Sequence, residues 1–561
     1  MQDYPWFKNY PEGIPQEINP DAYDSLLDLF EVSVKKYSGL VAYENMGKSI
    51  TFDELDQMTQ SFASYLQNDL GLQKGDRVAI QMPNLLQLPI ALFGCLRAGM
   101  TVVNTNPLYT AREMEHQFKD TEAKAVIILA NFAHNLEKII GNTSIKHVVI
   151  TEIGDLLGGI KGMVVNFVVK NVKKMVPSYK IDGAIKYNEV LKKGDPARYN
   201  RPAVKNEEIA FLQYTGGTTG VSKGAMLSHR NIIANMEQIS AWMLPKLKER
   251  SETMITALPM YHIFALTVNC LAMFKIGAKN VLITNPRDLP TFIKELKKHP
   301  FTVMTGVNTL FNGLLNNPEF SSVDFSHIKL AVGGGMAVQD IVAKRWKETT
   351  GVALVEGYGL SETSPVLTCN PIDDTERIGT IGLPVPSTEI ILLDDDGNPV
   401  PDGTPGEICA KGPQVMNGYW NRKEETENVF HNGYFKTGDM GITDESGFFK
   451  IVDRKKEMIN VSGFNVYPNE IENIVAAHEK VLEVGAIGIP DPKSNEVVKI
   501  FVVKKDDSLT QEEIIAYCKE NMTGYKVPKA VEFRDELPKS NVGKILRRLL
   551  KESEEKASQT A

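Results

Sequence analysis

Apolar positions up to about residue 380 switch repeatedly between two spacings. Thr51-Phe-Asp-Glu54 reads as a capping box, and Leu55, Met58, Phe62, Tyr65 and Leu66 follow it at helical spacing. A Gly75-Asp76 turn then leads into RVAIQM, a short apolar run that predicts a buried strand. The run IAFLQ predicts another, and Ser228 is placed to cap a helix carrying Ile232, Ile233 and Met236. Continued alternation of this kind predicts an α/β fold: a large N-terminal domain of mixed and parallel sheets with helices.

Beyond about residue 380 short strands are separated by turn signals at Asp396-Gly397, Asp402-Gly403, Asn432-Gly433 and Ser446-Gly447. This predicts a β-rich subdomain over about 380–453, closing a large domain of residues 1–453. The charged stretch Asp453-Arg-Lys-Lys-Glu457 follows FFKIV and predicts a domain boundary there. Residues 454–561 then form a small α+β domain, and the last ten residues, ESEEKASQTA, read as a disordered tail.

A chain of 561 residues exceeds one ordinary core, in keeping with two domains. The net charge of -8 supplies no electrostatic reason to bind nucleic acid. Five scattered cysteines without CxxC spacing argue against a zinc site or a disulfide framework, and a cytoplasmic location is expected. MQDYPWFKNYPEG lacks the pattern of a signal peptide, and LLQLPIALFGCLR is too short and too interrupted to span a bilayer. One segment bears on membranes differently. Over Gly162 to Val176, helical spacing places Val165, Val168, Val169, Val172 and Val176 on one face and Lys170, Lys173 and Lys174 on another. Such a segment either packs on the large domain or rests peripherally on anionic lipid.

The strongest chemical signal is Tyr214-Thr-Gly-Gly-Thr-Thr-Gly-Val-Ser-Lys-Gly224, directly after a predicted strand. Backbone N–H groups, threonine hydroxyls and one lysine in such a turn suit phosphate oxygens. It is not a Walker A loop, which needs Gly-Lys followed by Ser or Thr, so a P-loop NTPase is disfavoured.

This loop resembles the phosphate-binding motif of the adenylate-forming superfamily, which includes acyl-CoA synthetases, luciferases and peptide-synthetase adenylation domains. The resemblance runs over nearly the whole chain and lies closest to bacterial long-chain fatty-acid–CoA ligases. It implies ATP, Mg²⁺ and coenzyme A as reaction components and a fatty acid as the acyl substrate. It also implies nucleotide contacts from Tyr214, Thr215, Gly216, Gly217, Thr219, Gly220 and Lys223, with Thr218 beside the metal. Gly333, Gly334 and Gly335 match the segment against adenine. In Glu356-Gly-Tyr-Gly-Leu-Ser-Glu-Thr363, Tyr358 and Gly359 match the adenine contact, Ser361 a phosphate contact, and Glu362 the Mg²⁺ ligand. Many members have threonine where Ser361 stands, and the hydroxyl is retained.

Asp439 matches the carboxylate that binds the ribose hydroxyls, and Arg454 a second ribose or phosphate contact. Lys544, in Pro538-Lys-Ser-Asn-Val-Gly-Lys-Ile-Leu-Arg547, matches the mobile lysine that reaches the reacting carboxylate and the α-phosphate. The same resemblance implies that Gly463 belongs to a loop that moves in to bind the pantetheine arm, as the small domain turns about a hinge at about 453–458. His262, among Met260, Tyr261, Ile263 and Phe264, has two readings: a satisfied core histidine, or a residue beside the acyl pocket. A medium-chain or aromatic acid ligase and a non-catalytic nucleotide- or acyl-binding relative stay open, and a homodimer is compatible with either.

Overall fold

The computed structural model describes residues 4–215, 222–540 and 543–560. Among them, four sheets form. The first runs, in spatial order, Ile185–Lys186, His147–Thr151, Ala125–Leu129, Arg77–Gln81, Thr101–Asn104, Ile209–Thr215 and Lys223–Ser228. Every pair in it is parallel except the last, where Thr215 faces Lys223 across an antiparallel ladder. The second sheet has a parallel centre that includes Val303–Gly306, Leu330–Gly333 and Leu354–Gly359. Helices cover both sheets, so their strands are apolar on both faces. The motif segments thus emerge from the ends of buried strands.

Local signals explain the connections. Thr51 accepts from the Glu54 N–H while Glu54 caps the Thr51 N–H, which starts the helix Phe52–Asn68. Ser228 accepts from the Asn231 N–H and starts His229–Met243, whose buried face includes Ile232, Ile233 and Met236. The run LLQLPIALFGCLR becomes the buried helix Gln87–Arg97. No described helix is long and apolar enough to cross a membrane.

The third sheet is antiparallel throughout, built from Glu389–Leu393, Gly406–Lys411, Phe430–His431, Tyr434–Thr443 and Phe449–Arg454. The fourth contains Ile459–Val461, Phe464–Val466, Val481–Asp491, Asn495–Lys504 and Ala530–Phe533. It has a core of its own around Ile459, Ile471, Val475, Ile500 and Ile514. The chain passes from the third sheet to the fourth through Lys455–Met458.

One sequence expectation needs correction: residues 552–560 do not form an unstructured tail, because the helix Arg547–Thr560 continues through them. Leu550 is buried, Arg548 is ion-paired with Glu552 one turn on, and Lys499 reaches Glu554 at 2.5 Å. Of the two readings of the valine stripe, packing on the domain is the one its side chains follow: Val165, Val168, Val169 and Val176 are half-buried, and Val172 is exposed. The segment is a helix Gly159–Phe167 followed by a wider turn, Val168–Val172. Ile160, Met163, Val164, Phe167, Val172 and Met175 are 51–77% exposed. Gly162 packs against Gly154, which turns the Val165 side toward the domain.

Candidate active site

A cavity of about 1640 Å³ opens where the second and third sheets meet the small domain. Tyr214, Thr215, Lys223, His262, Gly334, Gly335, Tyr358, Gly359, Ser361, Glu362, Asp439, Arg454 and Lys544 all line it. Gly333 ends its strand behind the wall, and Gly463 is exposed at the hairpin between Ile459–Val461 and Phe464–Val466, away from the cavity. Gly216, Gly217, Thr218, Thr219 and Gly220 lie outside the described residues.

Neighbouring strands present the ribose-type contacts together. Asp439 and Arg454 face each other on paired strands, with Arg454 Nε 3.2 Å from the Asp439 carboxylate. The Tyr358 hydroxyl, from the second sheet, donates to Asp439 Oδ2 at 2.7 Å. One carboxylate is thereby oriented by a cation and a phenol, and its acceptor capacity suits a diol. Gly334 brings bare backbone alongside: a Cβ there would stand 2.9 Å from the Gly357 carbonyl and 3.0 Å from the Phe264 ring. A flat heterocycle can rest on such a surface, and any side chain would obstruct it.

Glu362 is buried, and the Tyr419 hydroxyl donates to its Oε1 at 2.8 Å. Burial raises its carboxyl above the usual range, and the Tyr419 bond only partly offsets this. A buried carboxylate of this kind gains from a hard cation, and the site chemistry fits Mg²⁺. No group of three or more His, Cys, Asp or Glu capable of holding a metal occurs among the described residues. Lys223 pairs with Glu425 and lies 5.1 Å from the Tyr419 ring centre, on the same side of the cavity as Glu362.

Lys544 enters from the small domain. Its turn is closed by Ser540, whose hydroxyl accepts from the Lys544 N–H at 3.1 Å and whose N–H donates to the Lys544 carbonyl at 2.7 Å. Gly543 lets this turn approach the large domain. Its φ is +86°, and its carbonyl accepts from Thr309 Oγ1 at 2.9 Å. Enclosure by protein lowers the Lys544 ammonium to about 8, with Arg454 adding to the effect and Asp439 and Glu457 opposing it. His262 is half-buried at the cavity wall, where its Nδ1 accepts from the Phe264 N–H at 3.3 Å. Burial, then Lys544, lowers it to about 4, so it is neutral at physiological pH.

Several contributors had not been singled out as site residues. Tyr419 orients Glu362 from 57 positions away. Glu356, the first residue of a motif already noted, is buried in the wall and pushed up to about 8, so it is largely protonated at neutral pH. Its Oε1 accepts from the Val338 N–H at 3.3 Å. Ile239, Trp242, Met243, Val268, Ile372 and Val385 form an apolar branch of the same cavity. In the sequence, Ile239, Trp242, Met243 and Val268 are ordinary apolar positions within helices and Ile372 and Val385 ordinary apolar positions in connecting segments, with nothing to mark them as lining a site.

The chain belongs to the AMP-binding enzyme family: that family's profile matches residues 30–420, and the AMP-binding enzyme C-terminal domain matches residues 470–544. It is 58% identical over 547 residues to a long-chain-fatty-acid–CoA ligase of Escherichia coli O6:H1, covering 98% of both chains. A long-chain-fatty-acid–CoA ligase of Bacillus subtilis is 40% identical, again covering 98% of both. Among solved structures, the anthranilate CoA ligase AuaEII in complex with anthranoyl-AMP shares the fold, with a TM-score of 0.85 at 24% identity over 97% of this chain and 99% of that one.

Proposed function

We propose that this protein is an ATP-dependent acid–thiol ligase that joins a long-chain fatty acid to coenzyme A through an acyl-adenylate. The observation that carries this reading is the shared cavity: Glu362 and Asp439 of the large domain and Lys544 of the small one reach a single space that continues between apolar walls. At about 1640 Å³ it exceeds the roughly 300–1,000 Å³ of ordinary ligand sites, leaving room for a nucleotide and an alkyl chain together.

In the first half-reaction a fatty carboxylate oxygen attacks the α-phosphorus of ATP, the bond to the β-phosphate oxygen breaks, and pyrophosphate leaves. Positioning and charge neutralisation supply most of the catalysis. Tyr358, Asp439 and Arg454 hold the nucleoside, and Lys223 takes the phosphates, exchanging Glu425 for them. Lys544 stands between two anions whose repulsion would otherwise oppose attack. Mg²⁺, when bound with the nucleotide, would neutralise phosphate charge, and Glu362 is the residue assigned to hold it; Thr218, assigned with it, lies outside the described residues. In the second half-reaction the CoA thiolate attacks the acyl carbonyl and AMP departs. We assign Gly463 to that step, brought in by rotation of residues 454–561 about a hinge at 453–458.

Acid-dependent ATP–pyrophosphate exchange, followed by CoA addition, tests this across acyl lengths. Exchange is expected to be most efficient with long-chain acids and to fall by about tenfold for every two methylenes removed, at ~0.8 kcal/mol per buried CH₂. Faster exchange with medium-chain or aromatic acids would replace the long-chain assignment. Exchange with no acid would refute the ligase itself.

The exposed apolar stripe carries the peripheral reading. Ile160, Met163, Val164 and Phe167 follow helical spacing and face solvent, with exposed Lys161, Lys170, Lys173 and Lys174 beside them. An uncovered apolar patch edged by cations suits an anionic bilayer, where the fatty substrate partitions. Changing Phe167 and Ile160 to glutamate is expected to release the protein from anionic vesicles in co-sedimentation. Changing the three lysines at 170, 173 and 174 to glutamate is expected to weaken binding more at low salt than at high salt. Undiminished binding of both variants would remove this segment from consideration.

A further inference from the structure

Three residues beyond Lys544, Arg547 sits in a cluster of carboxylates that the scheme above does not use. Its side chain is 10% exposed. Nε and Nη2 donate to the two oxygens of Glu472 at 2.8 and 2.6 Å, and Nη2 also donates to Asn469 Oδ1 at 2.5 Å. Nη1 donates to Asp453 Oδ1 at 3.0 Å and is ion-paired with Glu457. These partners belong to different bodies. Asn469 and Glu472 lie on the helix Pro468–Ala476 of the small domain. Asp453 lies on the strand Phe449–Arg454 of the β-rich sheet, and Glu457 on the link between.

One guanidinium therefore has two attachments. The bidentate bond to Glu472 is internal to the small domain and would travel with it. The bond to Asp453 crosses to the large domain. Asp453 is fully buried and its other oxygen accepts from the Asn469 N–H at 2.8 Å, so both of its oxygens are engaged across the same junction. A planar, permanently charged fork suits this double duty, and an ammonium does not reproduce it. Arg547 opens the C-terminal helix directly after the turn that carries Lys544, so what fixes one bears on where the other stands.

We propose that Arg547 is a positioning residue for adenylation: through Asp453 it holds the Lys544 turn in the nucleotide cavity, and this cross-domain bond is what the small domain releases before thioester formation. The proposal rests on the two-step reading above. Glu472 supplies the contrast, since its bond to Arg547 persists in either placement.

The test measures the half-reactions separately in the full-length protein. Asp453→Asn and Arg547→Lys are each expected to lower ATP–pyrophosphate exchange on the order of tenfold. The double variant should lose little more than either alone, because both remove one bond. Thioester formation from supplied acyl-adenylate and CoA should stay within about twofold of the parent or rise, since the competing placement is weakened. Glu472→Gln is expected to lower the melting temperature and both half-reactions together. Parallel loss of both half-reactions in Asp453→Asn and Arg547→Lys, or no loss of exchange, overturns the proposal. Should Arg547→Lys fail to fold, Asp453→Asn carries the same test alone. If the parent protein cannot convert supplied acyl-adenylate to thioester, the two-step reading fails instead, whatever the variants do.

Discussion

Lys544→Ala is expected to lower acid-dependent ATP–pyrophosphate exchange by roughly 10²–10³-fold while leaving CoA addition to supplied acyl-adenylate near its parent rate. The size follows from what the ammonium does. It lines a protein-enclosed cavity, where a fixed positive charge is worth far more than in water, and in the proposed reaction it would face both the substrate carboxylate and the α-phosphate. Its turn is anchored at both ends, by Ser540 within the small domain and by the Thr309 bond to Gly543 across to the large one, so the charge is placed before the reaction begins.

The same lysine dictates a pH dependence. Burial brings it to about 8, and in the proposed reaction the protonated form is the one that would stabilise the transition state. The free enzyme therefore carries the active form below about 8 and loses it as pH rises through that value. Because kcat/KM reports the free enzyme, its adenylation profile should descend on that limb. Lys544→Arg, which does not titrate there, should lose activity but flatten the limb. An alkaline limb unchanged in Lys544→Arg would assign it to another group, and equal loss of both half-reactions in Lys544→Ala would make the residue structural.

Glu362→Gln is expected to reduce exchange on the order of 10²-fold and to raise the Mg²⁺ concentration needed for half-maximal rate. Glutamine keeps the shape and can still accept from Tyr419, so the packing around it should survive. The melting temperature should hold or rise, because an ionised carboxylate in this buried position is held against the cost of desolvation. Tyr419→Phe should shift the Mg²⁺ dependence in the same direction by a smaller amount. If Glu362→Gln lowers exchange without moving the Mg²⁺ requirement, the metal assignment to this residue is wrong.

Local chemistry was legible in the chain wherever a few neighbouring residues suffice to define it. Capping at Thr51 and Ser228 needs only residues three apart, and both caps form as read. The short apolar runs before Gln213 and Gly334 also form strands as read, although the first continues through Tyr214 to Thr215. The valine stripe was legible in most of its length: Val165, Val168, Val169 and Val176 lie half-buried on one side, and the wider turn at Val168–Val172 leaves Val172 exposed. The tail was misjudged because its charges looked solvated, whereas Lys499, on a strand 55 residues away, pairs with Glu554.

By itself, then, the order of residues determined the layered α/β architecture, the small domain's mixed character and the kinds of group from which a nucleotide site can be built. All of these rest on short-range spacing and on the chemistry of single side chains. Tertiary structure alone decided that Tyr358 grips Asp439, that Tyr419 turns Glu362, that apolar residues of separate elements enclose room for an alkyl chain, and that Arg547 ties the Lys544 turn to Asp453 from 94 positions away. Hydrogen bonds and cavities depend on distances between atoms, and a folded chain sets those distances with no regard to how far apart the residues stand in sequence.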